Sequence, residues 1–333
     1  MSMSFKFKFI SFFIVLKFLF VNSLTLASAN ENFESWLISY KKFALKSWIS
    51  QNTINIAFQN VKFLDNVIKF DRKQPEFYED TITYVNKRAT KSRAQIAKKL
   101  LKKNRILFEE VENKFSVEKE ILLALWGIET NFGKHVGKMD IISSLATLSY
   151  DKRRRDFFSS QLLTLLKLID DGLIDPKTLY GSWAGAYGNF QFMPSTIKNY
   201  AIDYDDNKKI ELKSSLHDSL ASAANYINSI GWKKNDPCFF RVKLTSKIKK
   251  KYINFSARNI SNRLYVKKWR KKGIIKFDGT NFKTNLKAAL IIPDGKPDTP
   301  AYLVFENYEK ILKWNRSLRF GISVCTLARM IKT

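Results

Sequence analysis

The sequence predicts an α+β fold that is mostly α, because apolar residues recur at helical spacings over most of the chain. Short β-prone runs, such as Lys251–Phe255 and Arg263–Val266, are confined to one stretch, and Gly and Pro residues follow from Gly273 to Pro300. With 333 residues, of which 45% are hydrophobic, the chain can bury a sizeable core. We therefore expect a mostly helical protein with a small β insertion.

The predicted helices precede and follow that insertion. In chain order they cover residues 32–64, 89–115, a segment that ends near 129–133, then 141–148, 155–170, 219–230 and 308–331. Ser116 is predicted to cap the helix that ends near Glu129, because Glu118 and Glu120 in its first turn would favour the helix dipole. A Gly-rich aromatic segment, 180–195, and an acidic loop, 203–218, lie between helices.

The chain is strongly basic, with 58 Lys and Arg against 30 Asp and Glu, a formal net charge of +28. Such a chain is attracted to polyanions: nucleic acid, an anionic membrane surface or an acidic polymer. The excess is concentrated in residues 241–276, which hold 14 Lys and Arg and no acidic residue. His135 and His217 are the only histidines of the chain. This small number disfavours a histidine-based zinc site and a Ser-His triad.

The first 29 residues have the layout of a secretory signal peptide. Lys6 and Lys8 precede an apolar run, Phe9–Val21, and Ala27–Ala29 provides the small residues of a cleavage site. The run is shorter than the roughly 20 residues of a membrane span, and an uncleaved anchor helix is the alternative. We expect an exported, periplasmic protein with no stable membrane anchor and no nucleic-acid partner.

Cys238 and Cys325 are the only cysteines of the chain. In the oxidising compartment that the signal peptide implies, they can form a disulfide. Because Cys325 lies in the apolar helical stretch Phe320–Ile331, a buried free thiol is the alternative. The sequence does not decide between them.

Glu129 stands where an apolar helix face ends. Leu122, Trp126 and Glu129 occupy positions i, i+4 and i+7 and share one face, with Leu125 beside them. A carboxyl group against Trp and Leu loses hydration, which raises its pKa and suits a general acid that protonates a leaving-group oxygen. Glu129 is therefore a candidate catalytic acid, and a solvent-facing glutamate at a helix end is the alternative.

Residues 181–196, GSWAGAYGNFQFMPST, combine three glycines with aromatic and polar side chains. Glycines let the backbone and a ligand approach closely. Tyr187, Phe190 and Phe192 offer flat apolar faces that suit pyranose rings. The residues able to exchange hydrogen bonds with hydroxyl and acetamido groups are Ser182, Asn189 and Gln191. This segment is a candidate sugar-binding loop, and an aromatic loop packed on the core is the alternative.

Glu129 in this setting, followed by the 181–196 segment, strongly resembles the lytic murein transglycosylase B family (glycoside hydrolase family 103). The similarity extends to Asp71–Phe77 (DRKQPEF), Ala146–Phe158 (ATLSYDKRRRDFF) and Trp314–Ser317 (WNRS), and so runs from about residue 32 to the C-terminus. The resemblance implies a lysozyme-like core with a helical lobe and a small β lobe.

On this basis the chain is expected to divide into four parts. They are the signal peptide at 1–29, a helical lobe at 30–115 and 305–333, a lysozyme-like catalytic core at 116–235, and a small basic β insertion at 236–304.

The resemblance also implies an activity. The family cleaves the β-1,4 bond between N-acetylmuramic acid and N-acetylglucosamine in peptidoglycan without water, which leaves a 1,6-anhydromuramic end. Glu129 would act first as the acid and then as the base, and no cofactor is required. The expected partners are peptidoglycan glycan strands, and the expected state is a monomer. A muramidase that hydrolyses the same bond and a non-catalytic peptidoglycan-binding protein are the alternatives.

Several substrate-binding residues are implied residue by residue. Trp314 and Phe320 stand where the family pattern has hydroxyl-bearing rings. Both lack the hydroxyl, which leaves the hydrogen bonds at these positions open, and the stacking face is expected to remain. Arg154, or its neighbour Arg153, is expected to face a carboxylate of the substrate. The full substrate-binding set comprises Ser182, Gln191, Arg154, Asn315, Trp314, Tyr84, Tyr187 and Phe190.

The acidic loop resembles the family's EF-hand-like loop and implies one structural calcium, because oxygen ligands at alternating positions suit a hard cation. Lys208 replaces the glycine expected at the sharp turn, and Ser214 replaces the acidic residue expected at the end of the loop. A metal-free acidic turn is the alternative. The candidate ligands are Asp203, Asp205, Asn207, Lys209 and Asp218.

Overall fold

The structure is a computed structural model that describes residues 32–73, 78–296 and 298–333. The predicted signal peptide at 1–29 lies outside the described residues, and so does the end of the DRKQPEF motif. Within the described residues, no helix is both long enough and apolar enough to cross a membrane.

Helices make up most of the described chain, as the sequence predicts. They are α1 (Phe33–Lys46), α2 (Gln51–Ala57), α3 (Asp65–Arg72), α4 (Thr81–Arg88), α5 (Lys91–Lys103), α6 (Arg105–Phe115), α7 (Lys119–Thr130), α8 (Ile141–Tyr150), α9 (Arg155–Asp170), α10 (Pro194–Tyr200), α11 (Leu216–Ser229), α12 (Val266–Lys271), α13 (Glu306–Trp314) and α14 (Leu318–Lys332). Polar side chains cap α1, α2, α4 and α5, each by accepting a hydrogen bond from the backbone N–H three residues on. These capping residues are Asn32, Ser50, Asp80 and Thr90.

The strands lie mostly in the predicted insertion. They are β1 (Met139–Asp140), β2 (Tyr180–Gly181), β3 (Phe239–Leu244), β4 (Ile253–Asn254), β5 (Leu264–Tyr265), β6 (Ile274–Lys276), β7 (Lys287–Ile291) and β8 (Ala301–Val304). β1 pairs with β2, and the others form one sheet in the order β4-β7-β8-β3-β6, with β5 also paired to β7. The pairs are antiparallel except β4–β7, which is parallel. The fold is therefore α+β and mostly α, as predicted.

The larger sheet packs on both of its faces, because alternate residues of a strand point to opposite sides. Phe239 and Tyr302 belong to the main hydrophobic core, which the helices build. Val242 and Leu303 point the other way and form a second, smaller core with Trp269 of α12. One face of the insertion is thus attached to the helical body, and the other has a core of its own.

Helix α7 is buried nearly all round. Every residue from Ile121 to Gly127 is buried, and α14 packs along the helix. A helix that is apolar on every side needs partners on every side. The burial of α7 therefore depends on the C-terminal helix as well as on neighbouring helices in sequence.

The predicted start of α7 is wrong. Ser116 has a left-handed φ of 52° and ends α6, and α7 begins at Lys119 without a side-chain cap. The preceding Glu118 instead accepts hydrogen bonds from Trp232 Nε1 and from the backbone N–H of Asn235, both at 2.6 Å. The acidic residue that was expected to favour the helix dipole thus also ties α7 to the segment after α11.

The predicted helix 89–115 is interrupted at Asn104, where α5 ends and α6 begins. Asn104 Nδ2 donates to the Leu100 carbonyl oxygen at 3.0 Å. Asparagine that bonds to nearby backbone competes with continued helix. The helices predicted at 141–148, 155–170 and 219–230 are confirmed as α8, α9 and α11.

Cys238 and Cys325 form a disulfide, with their Cα atoms 6.2 Å apart. The bond joins the residue before β3 to the middle of α14. Of the two alternatives that the sequence left open, the structure has the paired cysteines. The disulfide therefore links the β insertion covalently to the helix that packs along α7.

Reduction of this disulfide is expected to lower the free energy of unfolding by about 2–4 kcal/mol, because a cross-link over a long loop restricts the unfolded chain. The two cysteines are 87 residues apart in sequence. Denaturant unfolding with and without a thiol reductant measures the difference. In the Cys238→Ser/Cys325→Ser variant the reductant should change nothing. Equal unfolding curves for the wild type in both conditions would contradict the prediction.

Candidate active site

Glu129 lies in the last turn of α7 and is half-buried. On the same helix face, Leu122 is fully buried and Trp126 is 6% exposed, so the predicted apolar stripe is confirmed. The helix ends one residue later at Thr130, and Asn131 adopts a left-handed φ of 50°. The carboxylate thus stands at the boundary between a buried helix and the surface.

A hydrogen bond from Trp314 holds this carboxylate. Trp314 Nε1 donates to Glu129 Oε1 at 3.0 Å. The indole ring is itself fixed, because it stacks on Tyr226 with centroids 5.1 Å apart and meets Phe192 edge-on at 5.2 Å. The sequence left the hydrogen bond at position 314 open, and the structure has one. The indole N–H supplies a donor of its own.

Asn189 connects the glycine-rich loop to the end of α7. Its Oδ1 accepts from Trp126 Nε1 at 3.2 Å, and its backbone oxygen accepts from Thr130 Oγ1 at 2.7 Å. Asn189 is 7% exposed, so its polar atoms are satisfied inside the protein and are not offered to a sugar. Beside it, Gly188 has φ +79°, and a Cβ there would lie 2.5 Å from the Leu212 carbonyl oxygen. The sequence did not indicate that Asn189 connects the glycine-rich loop to α7.

Ser182 and Gln191 are half-buried, and their side chains make hydrogen bonds to backbone groups of the loop and, for Gln191, of Val136 as well. Ser182 Oγ accepts from the backbone N–H groups of Ala184 and Ala186, at 3.3 and 3.0 Å. Gln191 Nε2 donates to the carbonyl oxygens of Val136 and Gly188, at 3.1 and 2.9 Å. The Ser182 hydroxyl hydrogen and Gln191 Oε1 are the groups that these bonds leave for a ligand.

Tyr187 and Phe190 are buried, at 6% and 2% exposed. The Tyr187 hydroxyl lies 3.2 Å from Thr178 Oγ1, and burial raises the pKa of this phenol. The Phe190 ring packs between the rings of Trp126 and Trp314, with centroids 6.4 and 6.2 Å away. Their observed contacts are therefore internal, and their predicted stacking on sugar rings stays a prediction.

Arg154 lies in a separate cluster around Asp71, whose side chain is 1% exposed. Arg153 Nε donates to Asp71 Oδ2 at 2.7 Å, and Arg154 Nη2 donates to Oδ1. Burial alone would raise the pKa of the Asp71 carboxyl, but the two arginines outweigh it and hold the pKa below its usual value. Both arginines thus share one buried carboxylate, which fixes their positions.

The arginine segment also lines a cavity of about 390 Å³, formed by residues 152–157. Four of these six residues are cationic, so the cavity suits a negatively charged group. Asp71 already accepts hydrogen bonds from Arg153 and Arg154. A ligand would therefore bind to the remaining N–H donors of these two arginines. Binding of a substrate carboxylate by Arg154 stays a prediction.

Two other predicted site residues, Tyr84 and Asn315, and Phe320 of the closing segment differ in their surroundings. Tyr84 on α4 is 3% exposed, and the Arg88 guanidinium lies 3.4 Å from its ring centroid. Asn315 follows α13 and is half-buried, and its carbonyl oxygen accepts from the backbone N–H of Ser317. Phe320 is 3% exposed in α14. Of these, Asn315 adjoins Trp314 in the chain and so lies next to the Glu129 site.

In the acidic loop, carboxylate oxygens of Asp203, Asp205 and Asp218 lie within 4.8 Å of one another. Asp218 is fully buried, and its two oxygens accept from the backbone N–H groups of Tyr204 and Glu211, both at 2.9 Å. This converging set of hard oxygen atoms fits a calcium ion.

The remaining predicted ligands have other contacts in the structure. The Asn207 side-chain oxygen accepts from the backbone N–H of Lys209 at 2.9 Å, and its Nδ2 donates to Glu211 at 3.1 Å. Lys208 has a left-handed φ of 68°, the conformation for which glycine is preferred at this turn. The loop therefore makes the sharp turn despite the replacement of glycine.

Comparison with protein families matches residues 32–329 to the model described as "Transglycosylase SLT domain". A curated relative is the membrane-bound lytic murein transglycosylase B of Escherichia coli (strain K12), 42% identical over 123 residues. That match covers 37% of this chain and 34% of the relative, so it spans about a third of the relative's length.

Solved structures match over nearly the whole chain. SltB3 from Pseudomonas aeruginosa in complex with NAG-NAM-pentapeptide is 32% identical, with a TM-score of 0.83, over 91% of this chain and 80% of that one. The Escherichia coli lytic transglycosylase Slt35 in complex with calcium is 25% identical, with a TM-score of 0.75, over 91% of this chain and 94% of that one.

Proposed function

The chain belongs to the transglycosylase SLT domain family and has its lysozyme-like fold, and on this premise we propose that it is a lytic transglycosylase of peptidoglycan. The observation that carries the proposal is the carboxylate of Glu129, which stands at the end of a buried helix and accepts a hydrogen bond from Trp314. A fixed carboxyl group at the edge of an apolar region is the group that general acid–base chemistry needs. Glu129 is accordingly the proposed catalytic residue.

The proposed reaction breaks the β-1,4 bond between N-acetylmuramic acid and N-acetylglucosamine. Protonated Glu129 first donates its proton to the glycosidic oxygen as the bond from C1 to that oxygen breaks. The resulting carboxylate then takes the proton of the C6 hydroxyl, whose oxygen bonds to C1 and closes the 1,6-anhydro ring. The two transfers return Glu129 to its starting state, and no water is consumed.

The positions of the acidic residues support a mechanism with one carboxylate. Two-carboxylate glycosidases hold their acids about 5–9.5 Å apart, on either side of the scissile bond. The loop at 181–196 contains no acidic residue, and Glu120, the other acid of α7, lies at the opposite end of that helix. The substrate's own N-acetyl oxygen can stabilise C1 in place of a second carboxylate. No observation favours the hydrolytic or the non-catalytic alternative.

Ser182, Gln191 and Asn315 are the proposed polar contacts of the sugar next to Glu129. The loop hydrogen bonds of Ser182 and Gln191 fix the side chains and leave one polar group of each for the substrate. Arg154, held by Asp71, is proposed to face a carboxylate of the peptide or lactyl group. Tyr84, Tyr187 and Phe190 would act mainly by shaping the cleft, since all three are buried.

The proposed site of action is the periplasm, where peptidoglycan strands are the substrate and the protein works as a monomer. The predicted signal peptide supports this location. The basic character of the chain also favours association with an anionic cell-wall polymer.

Glu129→Gln is expected to lower the release of anhydromuropeptides from purified sacculi by at least about a hundredfold, because the amide cannot transfer a proton. Glu120→Gln, the same substitution at the other end of α7, is the matched control and should retain activity. Mass spectrometry of the products, at equal folded concentration by circular dichroism, measures both variants. It also separates anhydro ends from the reducing ends that a muramidase would leave.

Activity of Glu129→Gln within about tenfold of the wild type, well short of the general acid–base range, would exclude Glu129 as the acid. Reducing ends from the wild type would instead favour the hydrolytic alternative. Binding of sacculi without any product would favour the non-catalytic one.

Trp314→Phe is expected to lower kcat roughly tenfold to a hundredfold, because a hydrogen bond to a charged group contributes about 1.5–3 kcal/mol. Phenylalanine keeps an aromatic ring against Tyr226 but has no donor. Trp314→Tyr, which restores a hydroxyl, should retain more activity than Trp314→Phe. Steady-state turnover of soluble glycan strands by the three proteins tests this order, and full activity of Trp314→Phe would contradict it.

We further propose that calcium binds the acidic loop through Asp203, Asp205 and Asp218. These residues lie around the connection between α10 and α11. A calcium ion held there would offset two of the three negative charges of these carboxylates and tie the loop to the first turn of α11. Its role would be structural.

Calcium is expected to raise the melting temperature of the protein relative to a chelator. A ligand that binds only the folded state contributes about 2.7 kcal/mol at 100 times its dissociation constant. Asp203→Asn should abolish the shift, and Asp206→Asn, an adjacent exposed acid outside the converging set, should keep it. Identical melting curves in calcium and in chelator would identify the loop as a metal-free turn.

A further inference from the structure

Two cations and two apolar side chains share one surface of the strand pair β3–β6, at the edge of the larger sheet. Lys243 lies directly opposite Ile275. The hydrogen bond from Phe277 N to Arg241 O, at 3.0 Å, continues this register by one pair. Cross-strand partners and alternate residues share a face. Arg241, Lys243, Ile275 and Phe277 therefore form one surface, here called the edge patch.

The edge patch is exposed although the same sheet face is buried elsewhere. Ile275 and Phe277 are 42% and 43% exposed, and Arg241 and Lys243 are exposed as well. At the other end of β3, Phe239 on this face lies in the main core. The helical body thus covers one end of the face and leaves the edge patch open to solvent.

The cations of the edge patch gather over its aromatic ring. The Arg241 guanidinium lies 3.8 Å and the Lys243 ammonium 4.7 Å from the Phe277 ring centroid. Asp278, the nearest acid in sequence, accepts hydrogen bonds from the backbone N–H and the hydroxyl of Thr280, at 2.9 and 2.8 Å. The patch therefore presents two positive charges beside exposed apolar groups.

The stretch that holds three of the four patch residues contains no acidic residue, over positions 241–276. The exposed cations of α12, which are Lys267, Lys268, Arg270 and Lys271, belong to the other side of the sheet, because Trp269 of this helix packs with Val242. The charge of the edge patch itself is therefore positive, and an anionic partner complements it.

Two simpler explanations account for only part of the patch. Lysine on an edge strand prevents pairing with other chains, which explains Lys276 on β6, but exposed Ile275 and Phe277 would work against that protection. Sugar binding needs an open ring face, and the cations already cover one face of Phe277. Apolar side chains flanked by Lys and Arg are instead typical of surfaces that lie in the interface of an anionic membrane.

We propose that the edge patch docks the protein reversibly onto an anionic lipid surface. Ile275 and Phe277 enter the interface, and Arg241 and Lys243 contact the lipid phosphates. Such docking would hold the catalytic domain at the membrane face of the cell wall without a spanning helix. It is independent of the proposed reaction, because the patch residues are not part of the Glu129 site.

Sedimentation with vesicles tests the proposal. The probes are vesicles of mixed phosphatidylcholine and phosphatidylglycerol, against vesicles of phosphatidylcholine alone. The wild type should bind the mixed vesicles at least about tenfold more tightly, since each cation near an anionic surface contributes about 1 kcal/mol. By the same figure, Arg241→Ala/Lys243→Ala should weaken binding roughly thirtyfold. Ile275→Ser/Phe277→Ser should remove the binding that persists in about 1 M salt, where charges are screened beyond about 3 Å.

The matched control is Lys102→Ala/Lys103→Ala on exposed positions of α5, which removes the same charge away from the patch. It should keep vesicle binding within about threefold, well short of the effect of two patch cations. All variants should release muropeptides from isolated sacculi at the wild-type rate. Equal binding to both kinds of vesicle, or equal loss in the α5 control, would overturn the proposal. Loss of sacculus binding by the patch variants would also overturn it, in favour of peptidoglycan as the partner.

Discussion

The hydrogen bond between the Trp314 indole and the Glu129 carboxylate is the contact on which the arrangement of this site depends. It joins residues 185 positions apart, so the end of α13 must be placed against the end of α7. The buried bond from the Tyr308 hydroxyl to the Leu318 carbonyl oxygen, at 2.6 Å, ties α13 to α14. Close packing of α13 on α14 needs Gly321, where a Cβ would lie 2.8 Å from the Tyr308 ring. Helix α14 then packs along α7, so the C-terminal pair of helices positions both partners of the bond.

Local patterns in the sequence predicted those structural features that depend on a single segment of the chain. The apolar face ending at Glu129 and helices α8 and α9 follow from periodicity, and the structure confirms them. Composition likewise indicated the small β component, and the strands of the larger sheet lie between residues 239 and 304. The same reasoning failed where contacts between residues distant in sequence determine the local structure. Ser116 looked like a helix cap, but Glu118 makes its hydrogen bonds to the segment after α11, more than 110 residues away.

The same limit explains why several contacts of the site residues were not predicted from the sequence. Asn189 has the chemistry of a sugar ligand, yet Trp126 and Thr130 use its polar atoms, and no local pattern shows such a partner. The pairing of Cys238 with Cys325 was undecided for the same reason, since a separation of 87 residues says nothing about distance in space. At position 314 the sequence showed that a hydroxyl was absent. Only the fold shows that the indole N–H donates to the Glu129 carboxylate.

The choice of tryptophan has a chemical consequence within the proposed mechanism. An indole N–H only donates, whereas a tyrosine hydroxyl can donate or accept. In the proposed mechanism, Glu129 Oε1 would remain an acceptor in both protonation states, and the transferable proton would reside on Oε2. Because the same bond persists before and after each transfer, the carboxyl group does not have to reorient between its acid and base steps. The stacking of Trp314 on Tyr226 and its edge-on contact with Phe192 keep the donor in place. One aromatic cluster would thus fix both the position of the proposed acid and the oxygen that carries its proton.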